Sequence, residues 1–417
     1  MAGVLHVWLR GEHCAELEKL RNGRMRLRFD PEFVGVYGAG TPSLSLSIPN
    51  TTKRLEGPAV ERFFDNLLPE SPLRANLERE HSVSPNDTFG LLEKIGLDCA
   101  GAIQFTADRD SSLAGLERPL TLEEVTHLVE NTPTLETPDD LPLSASLGGV
   151  QPKLLLSRTA DGSWLWPAYG APSNVIVKPD PSNSPIADLL ELEHWTLELA
   201  RLAGIDSART TLQTFGSRRA LVVERFDRSP TTPSTPSARI HQEDFAQALS
   251  ISVSAKYEPA SAQRSRLSEL VELAQPFATH GFATNLLAQI TFNAVIGNGD
   301  AHSKNYSVAL SPEGNVSLAP LYDAAPVFLA ASNIHGFGHV VGGQWSLRHI
   351  TARHLLAEAV SWGVPGDSAK QTILGVCHGV VAALSDPELP KLTASTERGD
   401  TYAAAIRARA ERFANDF

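Results

Sequence analysis

Three polar residues near the middle of the C-terminal half have types and spacing suited to phosphoryl transfer. Asn305 follows Asp300 by five positions, and Asp323 follows Asn305 by eighteen. In such a set the first Asp accepts or orients the proton of an attacking hydroxyl, while the Asn and the second Asp hold magnesium on the phosphates. Asp and Asn are also common in ordinary polar loops, so Asp300 and Asn305 alone would fit a simple connection equally well.

The residues around this set predict the elements that would position it. An apolar, helix-like run at 286–296 precedes it and is stopped by Gly297. After it, residues 306–319 predict two short strands joined by a polar turn. Such a hairpin would bring Asp323 back beside Asn305.

A second pattern, closer to the N-terminus, predicts the phosphate-binding part of the site. Residues 174–178 form a short β-branched run that ends in Lys178, and a lysine so placed pairs the phosphates of ATP in kinases. A helix is predicted over 184–204, with Glu193 in its apolar stripe. Because a buried carboxylate needs a partner, we expect Glu193 to pair with Lys178. In the simpler alternative both side chains are solvated.

Residues 220–227 predict a strand that leaves this region, where a kinase hinge would contact the adenine base. Backbone groups near Glu224 would meet the edge of the base, and Phe226 could lie on its face. An amphipathic strand with a polar end has the same pattern, so both interpretations stay open.

Eight short segments, spread over nearly the whole chain, carry a resemblance to a known family. They are Phe-Phe-Asp-Asn-Leu-Leu-Pro-Glu at 63–70, Ile-Gly-Leu-Asp-Cys-Ala-Gly-Ala at 95–102, Ser-Leu-Gly-Gly-Val-Gln-Pro-Lys at 146–153, Ile-Val-Lys at 176–178, Val-Glu-Arg-Phe-Asp at 223–227, Gln-Glu-Asp at 242–244, Gly-Asp-Ala-His-Ser-Lys-Asn at 299–305 and Tyr-Asp at 322–323. Together they resemble the HipA family of bacterial serine/threonine kinases, the toxins of type II toxin–antitoxin modules.

The resemblance implies a role for each matching residue. Asp300 would be the catalytic aspartate, and Lys304 would stabilise the transferred phosphoryl group. Asn305 and Asp323 would bind Mg²⁺, and Lys178 would bind the phosphates of ATP. The other residues expected to contact the nucleotide or to support its site are Glu193, Gly148, Gly149, Val150, Gln151, Lys153, Glu224 and Phe226. His302 is expected to shape the catalytic loop.

Ser146 matches the serine that the family autophosphorylates, in the loop over the phosphates. Gly148 and Gly149 give that loop backbone freedom that other residues lack. A phosphate on Ser146 would add about −1.5 to −2 charge and would repel the phosphates of ATP. We therefore expect modification to favour an open, inactive loop, with Ser144 as a neighbouring alternative acceptor and an unmodified, solvated serine as the simpler alternative.

The resemblance also implies a biological role. We expect a Mg-ATP-dependent protein kinase that arrests growth by phosphorylating an aminoacyl-tRNA synthetase, such as the glutamyl enzyme. Its partner would be HipB, a dimeric helix-turn-helix antitoxin that binds operator DNA. Two alternatives are a small-molecule or lipid kinase of the same fold and a regulatory scaffold that supports antitoxin–operator assembly. The complete set Lys178, Asp300, Asn305 and Asp323 disfavours the scaffold, since degenerate kinases usually lose one.

The composition is that of a globular protein, with 42% hydrophobic and 20% charged residues among 417. A formal net charge of −12 argues against nucleic-acid binding by this chain alone and is compatible with a basic partner. Three widely separated cysteines, Cys14, Cys99 and Cys377, predict reduced thiols without a disulfide framework. No membrane span or signal peptide is apparent, so we expect a cytoplasmic enzyme.

The patterns divide the chain into four parts. Residues 1–108 predict an N-terminal subdomain with strands near 5–9 and 24–29, and residues 109–140 a connector with a capping box at Thr121 and Glu124. Residues 141–226 would form the small β-rich ATP lobe, and 227–417 the mainly helical large lobe. The expected fold class is α+β, a protein-kinase-like two-lobe fold with an extra N-terminal α/β subdomain.

Overall fold

A computed structural model of the chain describes residues 3–132, 148–149, 151–181, 186, 188–229, 238–331, 333–392 and 396–417. The chain forms two compact units. The first contains Met1–Pro179, Gln213–Ser254 and Ala309–Asn315, and the second contains Asp180–Leu212, Ala255–Val308 and Val316–Phe417. Each unit therefore combines segments that are distant in sequence.

The first unit opens with a five-stranded antiparallel sheet. Its strands are β1 (Val4–Leu9), β2 (Glu12–Lys19), β3 (Met25–Phe29), β4 (Leu55–Glu56) and β5 (Ile103–Thr106), in the order β4-β3-β2-β1-β5. The helices that follow or interrupt them are α1 (Pro31–Tyr37), α2 (Pro58–Asp65), α3 (Leu73–Glu80) and α4 (Thr88–Ile95). Leu5, Val7 and Leu9 of β1 are all buried, so alternate residues face one core. The strands predicted near 5–9 and 24–29 are confirmed.

A second, six-stranded sheet lies mostly in the first unit. It contains β6 (Leu116–Leu120), β7 (Leu154–Arg158), β8 (Trp164–Ala168), β9 (Val175–Pro179), β10 (Thr210–Phe215) and β11 (Arg218–Glu224), in the order β10-β11-β9-β7-β8-β6. Only residues 213–215 of β10 belong to this unit. Helix α5 (Leu122–Asn131) contributes Val125, Leu128 and Val129 to the same apolar core as the sheet. Its predicted capping box is present, with Thr121 Oγ1 accepting from Glu124 N at 3.2 Å and Glu124 Oε2 accepting from Thr121 N at 2.7 Å.

The second unit is mainly helical. Its helices are α6 (Leu189–Leu202), α8 (Arg266–Ala274), α9 (Phe282–Ile296), α10 (Val327–Ala330), α11 (Ala352–Ser361), α12 (Gly366–Ala383) and α13 (Thr396–Ala414), and α7 (Phe245–Ala248) belongs to the first unit. Helix α9 packs against α11, α12 and α13, which explains why it is apolar on most of its surface. It ends at Gly297, whose φ of +78° is in the left-handed region, as the sequence predicts.

Helix α6 begins later than the sequence predicts. It starts at Leu189 rather than near residue 184, because Asp188 has a φ of +58°, which a right-handed helix cannot include. Residues 182–185, where the start was expected, lie outside the described part of the chain. No helix in the described ranges is long and apolar enough to cross a bilayer.

All three cysteines are buried and carry free thiols. Burial raises the pKa of the Cys99 and Cys377 thiols to about 12, and it raises the pKa of Cys14 well above its usual range. At neutral pH these side chains are therefore neutral thiols rather than reactive thiolates.

A buried glutamate connects two distant segments of the first unit. Glu243 lies on β12 (Gln242–Asp244); its Oε1 accepts from Leu46 N at 2.8 Å and its Oε2 hydrogen-bonds Ser45 Oγ at 2.6 Å. Burial raises the pKa of Glu243 to about 8, so the carboxyl group is protonated at neutral pH. The next residue, Asp244, is the N-cap of α7, and its Oδ1 accepts from Gln247 N at 2.8 Å.

This protonation predicts an unusual pH dependence for Glu243→Gln. Between pH 4.5 and 8, Glu243 loses its proton in the unfolded wild-type chain but keeps it in the folded chain. The contribution of this residue to the free energy of unfolding therefore falls as pH rises, by up to about 1.4 kcal/mol per pH unit. Glutamine can make both hydrogen bonds without ionising. We expect the variant to match the wild type near pH 5 and to become progressively more stable than it up to about pH 8.

Denaturant unfolding of both proteins from pH 5 to 9 measures this difference. Glu61→Gln, a change at an exposed carboxylate, serves as the control and should give a curve parallel to the wild type. A stability difference between Glu243→Gln and wild type that does not change with pH would mean that the buried carboxyl group is ionised throughout.

Candidate active site

The loop between α9 and β13 (Ser307–Leu310) carries three of the predicted site residues, Asp300, Lys304 and Asn305. The loop is folded on itself by its own hydrogen bonds. His302 N donates to Asp300 O at 2.8 Å, and Asn305 N donates to His302 O at 2.9 Å. The Asn305 side chain closes the turn, with Nδ2 donating to Asp300 O at 2.9 Å. The five-residue interval between Asp300 and Asn305 therefore corresponds to one compact turn.

A row of buried asparagines fixes this turn on α9. Asn293 Nδ2 donates to Tyr306 Oη at 2.8 Å, and Asn298 Nδ2 donates to Asn293 Oδ1 at 2.9 Å. Asn298 Oδ1 in turn accepts from Asp300 N at 3.1 Å. Because buried amides that lose a partner are costly, this chain of bonds holds the backbone of Asp300 in one place. The Asp300 side chain itself remains 48% exposed.

The predicted hairpin is present and returns the chain to this loop. Strand β13 and strand β14 (Val316–Leu318) are joined by a turn in which Ser311 N donates to Asn315 O at 2.9 Å. Beyond β14, Tyr322 Oη donates to Lys304 O at 2.9 Å. Asp323 follows immediately, with a φ of +53° that is uncommon for a residue other than glycine. Tyr322, which precedes Asp323, is therefore bonded to Lys304, which precedes Asn305.

These contacts suit a magnesium ion held on a nucleotide. Since Asn305 uses its Nδ2 within the loop, its side-chain oxygen is the atom left to face a cation. Asp323 supplies an exposed carboxylate. Mg²⁺ prefers oxygen ligands and is commonly held by one or two carboxylates together with phosphate oxygens and water. The donor set of Asn305 and Asp323 fits that ion.

His302 is a neutral packing residue of the loop. Burial lowers the pKa of His302 to about 3, so the ring is uncharged at neutral pH and its 3.8 Å separation from Asp300 Oδ1 is not an ion pair. The ring packs edge-on against Tyr257, with 4.9 Å between centroids. This agrees with the expectation that His302 shapes the loop.

Strand β15 (Gly336–Val341), which pairs with β16 (Gln344–Ser346), packs directly on the catalytic loop. A Cβ added to Gly338 would lie 2.1 Å from the carbonyl oxygen of Ala301, and one added to Gly299 would lie 2.3 Å from a methyl group of Ile334. Both distances are much shorter than a van der Waals contact. Glycine at these two positions is therefore required for the close approach of β15 and the loop.

The predicted phosphate-binding lysine lies in the first unit. Lys178 is on β9, between β7 and β11, opposite Leu221 of β11, and its side chain is largely buried. Glu193 lies on α6 of the second unit and is also buried. The strand ending in Lys178 is confirmed, and the pairing of Lys178 with Glu193 stays a prediction.

Two hydrogen bonds fix the glycine pair that follows the predicted autophosphorylation site. Lys153 Nζ donates to Gly148 O at 2.5 Å, and Gly149 O accepts from Glu70 N at 3.0 Å. Gly149 has a φ of +113°, which explains the glycine there. Gln151 Nε2 is buried with no hydrogen-bond partner in the described ranges, so it could donate to a bound phosphate or base. Ser144, Ser146 and Val150 lie outside those ranges.

The predicted hinge strand is shorter than expected. Strand β11 ends at Glu224, whereas the sequence predicted a strand over 220–227. Glu224 is exposed and Phe226 is half-buried in the turn that follows. The residue after the strand, Arg225, has its side chain in a buried cluster of charges. No local pattern in the sequence indicates this cluster.

Five charged side chains of the first unit form that cluster, hereafter the Asp98 cluster: Asp98, Arg225, Asp227, Arg228 and Arg239. Arg228 Nη2 lies 2.8 Å from Asp98 Oδ1, and Arg239 bonds the same oxygen. Arg225 holds Asp227 with two bonds, of 2.9 and 2.8 Å. All five are nearly inaccessible to solvent. The cluster joins the end of the hinge strand to the turn that follows α4.

Neighbouring backbone and hydroxyl groups donate further hydrogen bonds to the Asp98 cluster. Ser173 Oγ donates to Asp98 Oδ2 at 2.5 Å, and Gly101 N donates to Asp227 Oδ2 at 2.7 Å. Burial alone would raise the pKa of both Asp98 and Asp227. The neighbouring guanidinium groups have the larger effect: they lower the pKa of Asp227 to about 2 and lower the pKa of Asp98 still further. The only indication of this cluster in the sequence is that Asp98 and Asp227 each lie in one of the segments that carry the family resemblance, 95–102 and 223–227.

Comparison with known proteins gives a consistent result for both parts of the chain. A family model described as the HipA N-terminal domain matches residues 5–106, and one described as the HipA-like C-terminal domain matches residues 145–384. A putative kinase of Sinorhizobium fredii is 32% identical over 332 residues, which are 77% of this chain and 76% of that protein. The serine/threonine-protein kinase toxin HipA of Shewanella oneidensis is 30% identical over 373 residues, 85% of this chain and 84% of that one.

A solved structure extends the similarity to the fold. The HipA chain in a complex of Shewanella oneidensis HipA, HipB and operator DNA matches with a TM-score of 0.81 and 26% identity, over 99% of this chain and 97% of that one. This match confirms the predicted α+β fold class, with a kinase-like two-lobe architecture.

Proposed function

This chain belongs to the HipA family of serine/threonine-protein kinase toxins, and we propose that it transfers the γ-phosphoryl group of Mg-ATP to a component of the translation machinery. The observation that carries the proposal is the compact turn in which Asn305 bonds the Asp300 carbonyl while the segment before Asp323 bonds Lys304. In the proposal Asp300 supplies the base, and Asn305 and Asp323 supply two oxygen ligands, the groups that phosphoryl transfer requires.

In the proposed mechanism the chain's own residues bind, orient and move a proton. Asp300 orients the acceptor hydroxyl and accepts its proton as the oxygen–phosphorus bond forms, while the bond from the γ-phosphorus to the β–γ bridging oxygen breaks and ADP leaves. Asn305 and Asp323 would hold Mg²⁺, which would neutralise charge on the phosphates. Lys178 and Lys304 stabilise the phosphates and the transferred group, and Glu193 orients Lys178. The remaining proposed nucleotide contacts are Gly148, Gly149, Val150, Gln151, Lys153, Glu224 and Phe226.

We further propose self-inactivation through Ser146. Hydrogen bonds from Lys153 Nζ and Glu70 N fix Gly148 and Gly149. A conformational change in the residues before this pair would therefore begin at a fixed point of the backbone. A phosphate on Ser146 adds negative charge beside the phosphates of ATP and disfavours a closed loop. Ser144 is the alternative acceptor.

The proposed acceptor is an aminoacyl-tRNA synthetase, such as the glutamyl enzyme, and the proposed inhibitor is a HipB-like helix-turn-helix antitoxin that bridges to operator DNA. The net charge of −12 supports a basic partner rather than direct DNA binding by this chain. Both proposed partners act in the cytoplasm, which would then be the site of action.

One induction experiment tests the proposal. The phosphoproteome is compared after brief expression of the wild type, of Asp300→Ala and of the wild type with its antitoxin. We expect one dominant phosphoserine or phosphothreonine on a translation protein, a phosphate on Ser146, and growth arrest, all absent in Asp300→Ala and suppressed by the antitoxin. Phosphorylation of small molecules without protein phosphorylation would favour the small-molecule alternative, and arrest by Asp300→Ala would favour the scaffold.

A further inference from the structure

A tyrosine to which the sequence analysis gave no role contacts the catalytic aspartate. The hydroxyl of Tyr257 donates a hydrogen bond to Asp300 Oδ1. Tyr257 is 49% exposed, so burial of its ring alone does not explain its position. Both residues belong to the second unit, and the bond joins side chains 43 positions apart.

The backbone on both sides of Tyr257 is fixed to the elements that form the loop. Lys256 O accepts from Ser303 N of the catalytic loop at 3.1 Å. Glu258 N donates to Gly338 O of β15 at 3.0 Å. Gly338 is the residue that packs directly on Ala301. The segment 256–258 is therefore held between the catalytic loop and β15, and its position follows theirs.

The side chain of Glu258 anchors this segment a second time. Its carboxylate is buried, and Oε2 accepts from Val340 N at 3.0 Å and Oε1 from Arg266 N at 3.2 Å. These bonds connect the segment to β15 and to the start of α8. Because a buried carboxylate with its bonds satisfied resists displacement, the backbone of Tyr257 has little freedom to move.

The ring of Tyr257 is also held. It meets the ring of His302 edge-on, with 4.9 Å between centroids, which is a favourable aromatic geometry. His302 is neutral, because burial lowers its pKa to about 3, so this contact does not depend on a charge at neutral pH. With backbone and ring both fixed, the hydroxyl is directed at Asp300 by the surrounding structure.

We propose that Tyr257 is a positioning residue for the catalytic aspartate. Its hydroxyl holds Oδ1 of Asp300 and so fixes the rotation of the half-exposed carboxylate, which directs Oδ2 towards the acceptor hydroxyl. The inference rests on the proposed kinase function, in which Asp300 must meet that hydroxyl at hydrogen-bond distance. A base that rotates freely spends less time in the productive geometry, and small errors of placement lower rates strongly.

Tyr257→Phe tests this directly, because it keeps the ring and removes the hydroxyl that bonds Asp300. We expect kcat for phosphorylation of the protein acceptor to fall about 10- to 100-fold, the usual effect of losing a hydrogen bond to a charged group. KM for ATP and for the acceptor should change less than about twofold. Tyr37→Phe is the matched control, since it removes a phenol–carboxylate bond of 2.6 Å to Glu12 in the first unit and should leave kcat unchanged.

A double variant separates positioning from a general structural effect. If Tyr257 acts through Asp300, Tyr257→Phe should cause no further loss in an Asp300→Asn background when single-turnover rates are compared. Equal losses in both backgrounds would overturn the proposal, as would an unchanged kcat. A higher rate in Tyr257→Phe would also overturn it, because the hydroxyl would then be occupying the acceptor's place rather than positioning the base.

Crystal structures of the two proteins provide a readout that needs no kinase activity. The Asp300 carboxylate should occupy one orientation in the wild type and several in Tyr257→Phe. If the wild type transferred no phosphoryl group to any acceptor, the proposed function would fail, while the orientation of Asp300 would still decide the role of Tyr257. A single unchanged orientation in the variant would reject the positioning role by itself.

Discussion

Replacing Asp300 with alanine is expected to lower phosphoryl transfer by about 10²- to 10⁴-fold, the usual cost of losing a general base. The fold should persist, because the Asp300 side chain is 48% exposed and the asparagine bonds that hold its backbone do not involve the carboxylate. Nucleotide affinity should also persist, since Asn305 and Asp323 remain to hold Mg²⁺. The variant should therefore bind ATP and fail to use it.

The measurement combines single-turnover transfer, Mg-ATP titration and thermal unfolding of the same preparations. Asp206→Ala, an exposed carboxylate of the second unit, is the control and should behave like the wild type. Transfer by Asp300→Ala at a near wild-type rate would show that another residue is the base. A loss of activity together with a large loss of thermal stability would mean that Asp300 mainly supports the loop.

Replacing Asp98 with alanine should have the largest effect on stability. It would leave three buried guanidinium groups with Asp227 as the remaining carboxylate of the Asp98 cluster. Removing one partner from a buried ion pair typically costs about 3–5 kcal/mol, because the remaining charge cannot reach water. We expect a loss of that order, centred on the first unit, where the cluster joins the turn after α4 to the hinge.

Denaturant unfolding measures the effect, with Glu61→Ala as the comparison. Glu61 forms a salt bridge with Arg24 in which both side chains are substantially exposed, and such pairs contribute about 0–1 kcal/mol. A loss below about 1 kcal/mol for Asp98→Ala would mean that water enters the Asp98 cluster and solvates the arginines. Weaker nucleotide binding by a still-folded variant would connect the cluster to Glu224 and Phe226, the predicted hinge residues.

The elements that the sequence predicted best are those whose pattern is local. The alternation in β1 and the apolar run of α9 ending at Gly297 are each visible within one short window, and both are in the structure. Asp300 and Asn305 share one turn and could be recognised from their spacing. The capping box at Thr121 is similarly local.

The features that were missed depend on residues far apart in the chain. Strand β2 has a mixed, charged sequence, and its clearest signal is the two-residue turn at Arg10 and Gly11, both with positive φ. The Asp98 cluster joins residues more than a hundred positions apart, and nothing in a single sequence pairs them. Tyr257 lies in an irregular segment, so no periodicity drew attention to it.

The burial of all three thiols makes this protein a convenient starting point for fluorescence measurements. Cys14, Cys99 and Cys377 are inaccessible and have raised pKa values, so maleimide dyes at neutral pH should react with them slowly. A cysteine introduced at Val36, which is 75% exposed, would then be labelled selectively in the native chain. A second one at Asp206 would complete a donor–acceptor pair, with one dye in each unit, that reports their separation as nucleotide is added.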